Sequence, residues 1–310
     1  MKKVILTGAT GFVGNAVLRE LIKNNIEVIA LGRKDNPKNI PQNKLITYIK
    51  IDLDNIKNLT DNNSVKNADT FFNFAWSGVD TKERKNEYTQ YDNVKKALDC
   101  LYVAKEIGCR RFIGIGSIME KEALDITLIN DTKPNMSYVY GASKLYTHMM
   151  SKAIANKIGV DFIWCEITNT YGVGEINNRL ISSTLQKIIK GEELNFTEGQ
   201  QNYNFIYIDD VARAFYLIGI KGKPFSRYLI GGNDTQQLKN YLLIIKDIIA
   251  KDKIFNFGVV PYNGSNLSLD YFDFKNLEDD TGFKPKTSFK EGIEKTFQWL
   301  LKEYKKENIF

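Results

Sequence analysis

Tyr140 and Lys144 stand four residues apart in the segment Tyr-Gly-Ala-Ser-Lys, which puts a phenol and an ammonium on one face of a helix. A free tyrosine releases its proton only near pH ~10. A lysine cation beside it stabilises the phenolate and lowers that value. A phenol tuned in this way exchanges a proton with a hydroxyl or carbonyl oxygen near neutral pH. Ser117 follows the apolar run Phe112-Ile113-Gly114-Ile115-Gly116, so it is expected at the carboxyl end of a buried strand. Doubly wound folds place their ligands at that edge, where the serine hydroxyl can hydrogen-bond the same reacting oxygen.

A second constellation opens the chain. Gly8, Gly11 and Gly14 are spaced as G-x-x-G-x-x-G in Thr-Gly-Ala-Thr-Gly-Phe-Val-Gly, with Thr10, Phe12 and Val13 between them. Glycine permits positive φ and lets a backbone approach a pyrophosphate closely, and the helix that follows points its free N–H groups at the phosphates. The run follows a strand and opens a helix, which is the context a dinucleotide site requires. The next strand ends Ala30-Leu31-Gly32-Arg33-Lys34, with no acid before Asp35. Arg33 and Lys34 suit a ribose 2′-phosphate, so NADP(H) is favoured and NAD(H) kept as the alternative. Asp52 and Leu53, after the third strand, are placed to meet the adenine.

The elements that must position these groups alternate. Strands are expected at 3–7, 27–31, 45–51, 70–75, 111–115 and 162–167, with helices at 15–23, 83–107 and 137–157. That rhythm argues for an α/β fold with a doubly wound parallel sheet. Past Asn169 it becomes irregular, with helices expected at 180–190, from 209, at 238–250 and at 289–304. Residues 1–168 plus about 205–232 are read as the dinucleotide-binding domain, and 169–204 plus 233–310 as a smaller, mainly C-terminal α/β substrate lobe.

The chain has 310 residues, 43% of them hydrophobic, enough for a sizeable core. Its net charge of +6 is scattered among acids and asparagines, so no nucleic-acid partner is expected. Three cysteines fit neither a disulfide framework nor a metal motif, and a single histidine, His148, excludes histidine-rich metal centres; no metal is expected. The apolar N-terminal run is too short for a signal peptide and no run approaches membrane-spanning length, so a cytoplasmic protein is expected.

TGATGFVG, the serine after a buried strand, YGASK and the later NFIYIDDVARAF resemble the extended short-chain dehydrogenases, specifically the nucleotide-sugar epimerase/dehydratase/reductase group. The resemblance covers nearly the whole chain and is clearest over residues 1–215. It implies a Rossmann-type domain, a nucleotide-sugar substrate, hydride transfer at the nicotinamide and a Ser-Tyr-Lys triad, here Ser117, Tyr140 and Lys144. It also implies that Phe74, Ala75 and Trp76 lie along the cofactor, that Asn93 belongs to the long helix, and that Asn169 opens the substrate lobe. The two long helices resemble those that pair as a four-helix bundle in relatives, which implies a homodimer.

The departures carry information. Dehydratases of the group follow the triad hydroxyl with an Asp-Glu pair that performs elimination, whereas this chain has Ile118-Met119, which cannot transfer protons. The cysteine of the combined epimerase/reductases is replaced by Met119, Cys109 falls on the far side of the sheet, and His148 reads as structural or surface. Arginines that hold the nucleotide diphosphate are replaced by Tyr203-Asn204, are missing around 263–270, and give way to Glu166. Asn178, Arg179 and Lys187 are the remaining candidates for the diphosphate. The bare triad supports simple carbonyl reduction or a 4-epimerisation by transient oxidation, and Arg33 and Lys34 tilt the reading to NADPH-dependent reduction of the 4-keto group of a nucleotide-activated 6-deoxy sugar. An NAD-dependent 4-epimerase is the alternative, and a non-catalytic NADP-binding regulator the reading from a different class.

Overall fold

The computed structural model describes residues 1–35, 37–79, 83–128, 133–262, 264 and 266–306. The first elements are β1 (Lys3–Thr7), α1 (Phe12–Lys23), β2 (Glu27–Gly32), β3 (Ile46–Lys50), β4 (Thr70–Asn73), α2 (Glu87–Ile107), β5 (Arg111–Ser117), α3 (Met119–Leu128), α4 (Tyr138–Ile158) and β6 (Asp161–Ile167). There follow β7 (Asn169–Tyr171), α5 (Leu180–Lys190), β8 (Leu194–Asn195), β9 (Asn202–Tyr207), α6 (Ile208–Lys221), β10 (Arg227–Ile230), β11 (Thr235–Gln237), α7 (Leu238–Ile249), β12 (Phe255–Asn256), α8 (Lys275–Thr281) and α9 (Phe289–Lys306).

One unit comprises residues 1–167, 211–230 and 274–283. Its seven strands run in the order β10-β6-β5-β4-β1-β2-β3, and every neighbouring pair is parallel. Because side chains alternate across a strand, each apolar run feeds two cores. Ile5, Ile29, Phe71, Phe112 and Phe162 join one cluster with Leu101 and Ala104 of α2 and Ala155 of α4. Phe72 turns the other way and meets α6, where a Cβ at Gly219 would come within 3.1 Å of its ring. The strand order reverses at β1, with β2 and β3 on one side and β4 on the other. In this Rossmann-like sheet, the crevice at the carboxyl ends of β1 and β4 is therefore the expected ligand site.

The other unit comprises residues 168–210, 231–273 and 284–310. β9 lies between β7 and β11, and β8 pairs with β12. Its core is aromatic: the Tyr241 ring lies 4.9 Å from Phe205 and 4.6 Å from Phe289. Asn204 is fully buried and ties β9 to the turn before β11, accepting the Gly232 N–H (2.7 Å) and donating to the Asp234 carbonyl (2.8 Å).

Several boundaries differ from those expected from the sequence. The chain returns to the first unit at Val211, not at 205, because β9 pairs parallel to β7 and buries Phe205 in the aromatic core. Residues 274–283 group with the first unit, where Asp280 accepts the Tyr228 hydroxyl (2.8 Å) and Lys221 donates to the Thr281 carbonyl (3.2 Å). α1 begins at Phe12, directly after the Gly11 N-cap of the glycine loop. α2 begins at Glu87 because Asn86 caps it, accepting the Thr89 N–H at 3.1 Å. α3 was not expected from the apolar pattern at all.

Candidate active site

The glycine loop folds on itself at the end of β1. Gly8 has φ +71°, and a Cβ there would stand 2.8 Å from the backbone of Phe74 and Ala75. A Cβ on Gly14 would stand 2.1 Å from the Gly8 carbonyl oxygen. Thr7 supplies a lock that the glycine spacing did not reveal. Its hydroxyl donates to Asn73 Oδ1 (2.8 Å) and accepts the N–H groups of Phe74 (3.0 Å) and Ala75 (3.1 Å), joining the ends of β1 and β4. Asn39 holds the loop from outside, donating to the Thr10 carbonyl at 2.6 Å.

A cleft of about 250 Å³ opens beside this loop. Gly8, Thr10, Gly11, Arg33, Asp52 and Leu53 line it, as do Phe74, Ala75, Trp76 and Asn93. Phe12, Val13 and Gly14 form the first turn of α1, whose N–H groups have no intrahelical acceptors. Lys34 does not line the cleft; its carbonyl accepts the Tyr48 hydroxyl at 2.7 Å. Asp35, the nearest acid after β2, is paired with Lys50 at 2.6 Å. The Asp54 N–H bonded to Asp52 holds that carboxyl below its usual range. Asn93 is buried and grips Ser77, accepting its N–H and donating to its carbonyl, both at 2.8 Å. Lys96 also lines the cleft, held by Asp92 (2.7 Å) and Asp54 (3.1 Å). Backbone N–H groups at a helix N-terminus, with a guanidinium at the end of β2, are a donor set that fits a dinucleotide.

Next to the cleft stand the proton-transfer candidates. Ser117 closes β5, and Tyr140 lies in the first turn of α4. Gly141 makes the junction possible, because a Cβ there would come 2.3 Å from the Met119 carbonyl oxygen, where α3 starts. Lys144 is buried and donates to the Ile115 carbonyl of β5 at 2.8 Å, two residues before Ser117. Its Nζ lies 3.6 Å from the centre of the Trp76 ring and 5.9 Å from that of Tyr140. Tyr140 meets Trp76 edge-on, ring centres 6.3 Å apart. Burial pulls Lys144 down to about 7, Arg84 acts in the same direction, and Glu120 opposes both.

Sequence reasoning missed two charged neighbours. Arg84 places its guanidinium 4.7 Å from the centre of the Tyr140 ring and donates to the Met119 sulfur at 3.5 Å. Glu120 accepts the Ser117 N–H at 2.9 Å while Ser117 Oγ accepts the Met119 N–H at 3.3 Å. This is a capping box, and its S-x-x-E spacing from Ser117 to Glu120 was the signal available for both Glu120 and α3. His148 is not at the surface: it stacks on Trp164 with ring centres 5.1 Å apart. Cys109 sits in the apolar cluster with Phe112, and burial pushes its thiol up to about 12.

The proposed substrate residues divide between the units. Ile118 is buried and donates its N–H to the Ile167 carbonyl at 3.0 Å. With Met119 it leaves no proton donor after Ser117. In the second unit, Asn169 donates to the Asn204 carbonyl (3.3 Å), Tyr203 stacks on Phe205 (5.6 Å) and Asn178 is exposed. Arg179 is committed to the buried Glu175 at 3.1 Å, and Lys187 is half-buried on α5. Glu166, where an arginine was sought, stands 3.6 Å from Arg227. Within 263–270, residues 263 and 265 lie outside the described residues. No described helix is long and apolar enough to cross a membrane.

Comparison with known proteins adds the relatives. CDP-abequose synthase of Salmonella typhimurium is 25% identical over 303 residues, covering 96% of this chain and 98% of that protein. A dTDP-glucose 4,6-dehydratase of Escherichia coli is 22% identical over 349 residues, covering 96% and 92%. Among solved structures, the UDP-glucose 4-epimerase of Thermotoga maritima with UDP-glucose superimposes with a TM-score of 0.80 at 20% identity, covering 97% of this chain and 99% of that one. The profile of the NAD dependent epimerase/dehydratase family matches residues 4–231, and the chain belongs to that family.

Proposed function

We propose that this enzyme reduces the 4-keto group of a nucleotide-activated 6-deoxy sugar at the expense of NADPH. When bound, NADPH supplies the hydride that the carbonyl carbon accepts. Tyr140 gives its phenolic proton to the carbonyl oxygen, so that ketone, hydride and proton together make the alcohol. The Ser117 hydroxyl holds that oxygen. The Lys144 ammonium favours the phenolate that Tyr140 leaves behind and anchors the nicotinamide ribose.

The observation that carries the reading is Arg33. It lines the cleft at the end of β2, and the nearest following acid, Asp35, is engaged by Lys50. A cation at the end of β2, where an acid would bind the ribose hydroxyls, suits a 2′-phosphate, and a biosynthetic reductase draws on NADPH. Ile118 and Met119 argue against elimination, since neither side chain carries a proton for it. The matched CDP-abequose synthase and dTDP-glucose dehydratase support a nucleotide sugar as the substrate class. The second unit, with Asn169, Asn178, Arg179 and Tyr203, is assigned to that nucleotide sugar.

A panel of nucleotide 4-keto sugars, assayed for NADPH oxidation, tests the proposal. Turnover with NADPH on one of them supports it. The second reading, an NAD-dependent 4-epimerase, is favoured by the family description and by the superimposed UDP-glucose 4-epimerase. Denaturing the purified protein and finding about one equivalent of released NAD, with no NADPH oxidation, would decide for the epimerase. Binding of NADP(H) with no turnover on any nucleotide sugar would decide for a regulator.

A homodimer belongs to the same proposal. Tyr88, Tyr91 and Tyr102 are exposed along α2, and Tyr146 and Met149 along α4, two helices that pack on each other. Such aromatic and Met stripes mark interfaces. Light scattering at micromolar concentration reads the mass directly, and a monomer removes the expectation. Three buried free cysteines fit the reducing cytoplasm.

A further inference from the structure

The single turn Glu83–Lys85, ahead of α2, brings a second cation to the reacting groups, and the reaction above gives it no task. Arg84 is half-buried there. Its guanidinium carbon lies over the Tyr140 ring, 4.7 Å from the ring centre, and its Nη1 donates to the Met119 sulfur at 3.5 Å. The turn is anchored to the interior by Gln90 of α2, which is fully buried. The Gln90 amide nitrogen donates to the carbonyls of Gly78 (3.1 Å) and Glu83 (3.3 Å), and its oxygen accepts the indole N–H of Trp76 at 2.7 Å. Trp76 in turn meets the Tyr140 ring edge-on and has the Lys144 ammonium 3.6 Å from its ring centre. One buried amide therefore fixes both the turn that carries Arg84 and the ring against which Tyr140 and Lys144 rest.

A guanidinium keeps its proton throughout the working range of pH, so the charge on Arg84 is permanent. A cation over an aromatic face, within ~6 Å of its centre, is attracted by the ring even while the phenol is neutral. Once the phenol has lost its proton, the ring and its oxygen share a full negative charge at the same distance. The attraction is then between opposite charges, and it favours phenolate over phenol. Arg84 acts where Lys144 acts least. Burial pulls Lys144 down to about 7, Glu120 of α3 opposes this and Arg84 adds to it, so the ammonium is progressively lost above that value. Glu122 of α3 also feels the guanidinium: burial pushes it up to about 7, Arg84 pulls against this, and Asp125 adds to the push.

We propose that Arg84 is a positioning residue of the reaction, whose guanidinium, held over the face of Tyr140, steadies the phenolate left when the phenol gives its proton to the carbonyl oxygen. This rests on the reading of Tyr140 as the proton donor. Arg84 forms and breaks no bond and keeps its own proton throughout. Two cations from separate elements, Lys144 and Arg84, thereby serve one phenolate.

Tyrosinate absorbs at longer wavelength than tyrosine, so the apo protein reports on the phenol without substrate or cofactor. Wild type, Arg84→Gln and Arg84→Lys are titrated from about pH 6 to 11, each beside the same protein carrying Tyr140→Phe. The difference isolates one of the 16 tyrosines. The wild-type midpoint should lie below the ~10 of a free tyrosine. Arg84→Gln should raise it by about one pH unit or more, and Arg84→Lys, which keeps the charge, should give back most of that rise. Loss of Arg84 also lets Lys144 hold its proton to higher pH, which works against the rise, so a rise reports the direct effect on the phenol. Arg84→Met removes the same charge and carries the test if Arg84→Gln fails to fold. A wild-type midpoint at or above that of a free tyrosine overturns the proposal. So does a midpoint unmoved or lowered in the neutral variants, or one raised equally by Arg84→Lys. Absence of turnover on every nucleotide sugar overturns the reaction but leaves this titration standing, so the two failures are distinguishable.

Discussion

The Lys144 ammonium lies 3.6 Å from the centre of the Trp76 ring, with its nearest backbone partner, the Ile115 carbonyl, at 2.8 Å. Two polarisable partners thus replace the water that a surface lysine would have. They hold the charge without neutralising it, and burial still pulls the group down to about 7. A cation so poised can respond to a phenolate forming at Tyr140.

Lys144 should therefore cost stability. Its folded value is about 7, against ~10.4 for a free lysine in the unfolded chain. Between these values the unfolded chain binds a proton that the folded protein does not, so stability rises with pH across that window. Below pH 7 both states are charged and the folded protein bears the full penalty of burial. Lys144→Met removes the penalty, and Glu120 keeps its bonds to Ser117 and Trp164. The apo variant is expected to melt a few °C above wild type at pH 6, with the gap closing by pH 10. Thermal melts at pH 6, 8 and 10 check the order; a variant that melts lower at pH 6 contradicts it.

Tyr140→Phe removes the proton and keeps the ring that packs on Trp76. Turnover should fall by ~10²- to 10⁴-fold, the usual worth of a positioned proton donor. The Kd for NADP(H), read by fluorescence titration, should stay within about twofold, because the phenol is not in the lining of the cofactor cleft. Equal losses of binding and turnover would make Tyr140 a structural residue.

Arg33→Asp inverts the charge where the adenosine ribose is expected. An acid at the end of β2 accepts ribose hydroxyls and repels a 2′-phosphate. The ratio of kcat/KM for NADPH over NADH should drop by at least ~10-fold, which is ~1.4 kcal/mol. An unchanged ratio would return the choice of cofactor to other residues and favour the NAD-dependent reading.

The parts of this architecture that follow from local rules were legible in the sequence. β1, α5 and six of the seven strands of the parallel sheet follow from apolar runs and their spacing, and the glycine loop and YGASK from backbone and proton chemistry; β10 (Arg227–Ile230) was not among the strands expected. The cleft gathers ten of the residues expected around the cofactor. What escaped depends on contacts between distant segments. Thr7 bonds residues more than sixty positions away, and Arg84 meets Tyr140 across a separation of 56 positions that no periodicity links. Phe205 was misplaced because an apolar run reads alike in either sheet, and only its pairing with β7 decides. Glu120 was legible in the S-x-x-E capping spacing that begins at Ser117.

The glycine loop allows two costs to be separated. At Gly14 a Cβ would stand 2.1 Å from the Gly8 carbonyl oxygen, so Gly14→Ala must push the loop off α1. Overpacking of this kind costs ~1–3 kcal/mol. A shift of ~2–4 °C per kcal/mol, typical of chains of 150–250 residues, then gives a melting temperature several degrees lower. At Gly11 the same atom would stand 3.3 Å from that oxygen, and the backbone is extended at φ −81° and ψ 169°, so Gly11→Ala should leave the melt within about 2 °C. Gly11 nonetheless lines the cleft. Its methyl would occupy space meant for a pyrophosphate, and dinucleotide affinity should fall at least ~10-fold in both variants. Calorimetry of the apo proteins and titration with NADP(H) measure the two costs independently. If Gly11→Ala bound the dinucleotide like wild type, the pyrophosphate would not pass over this loop.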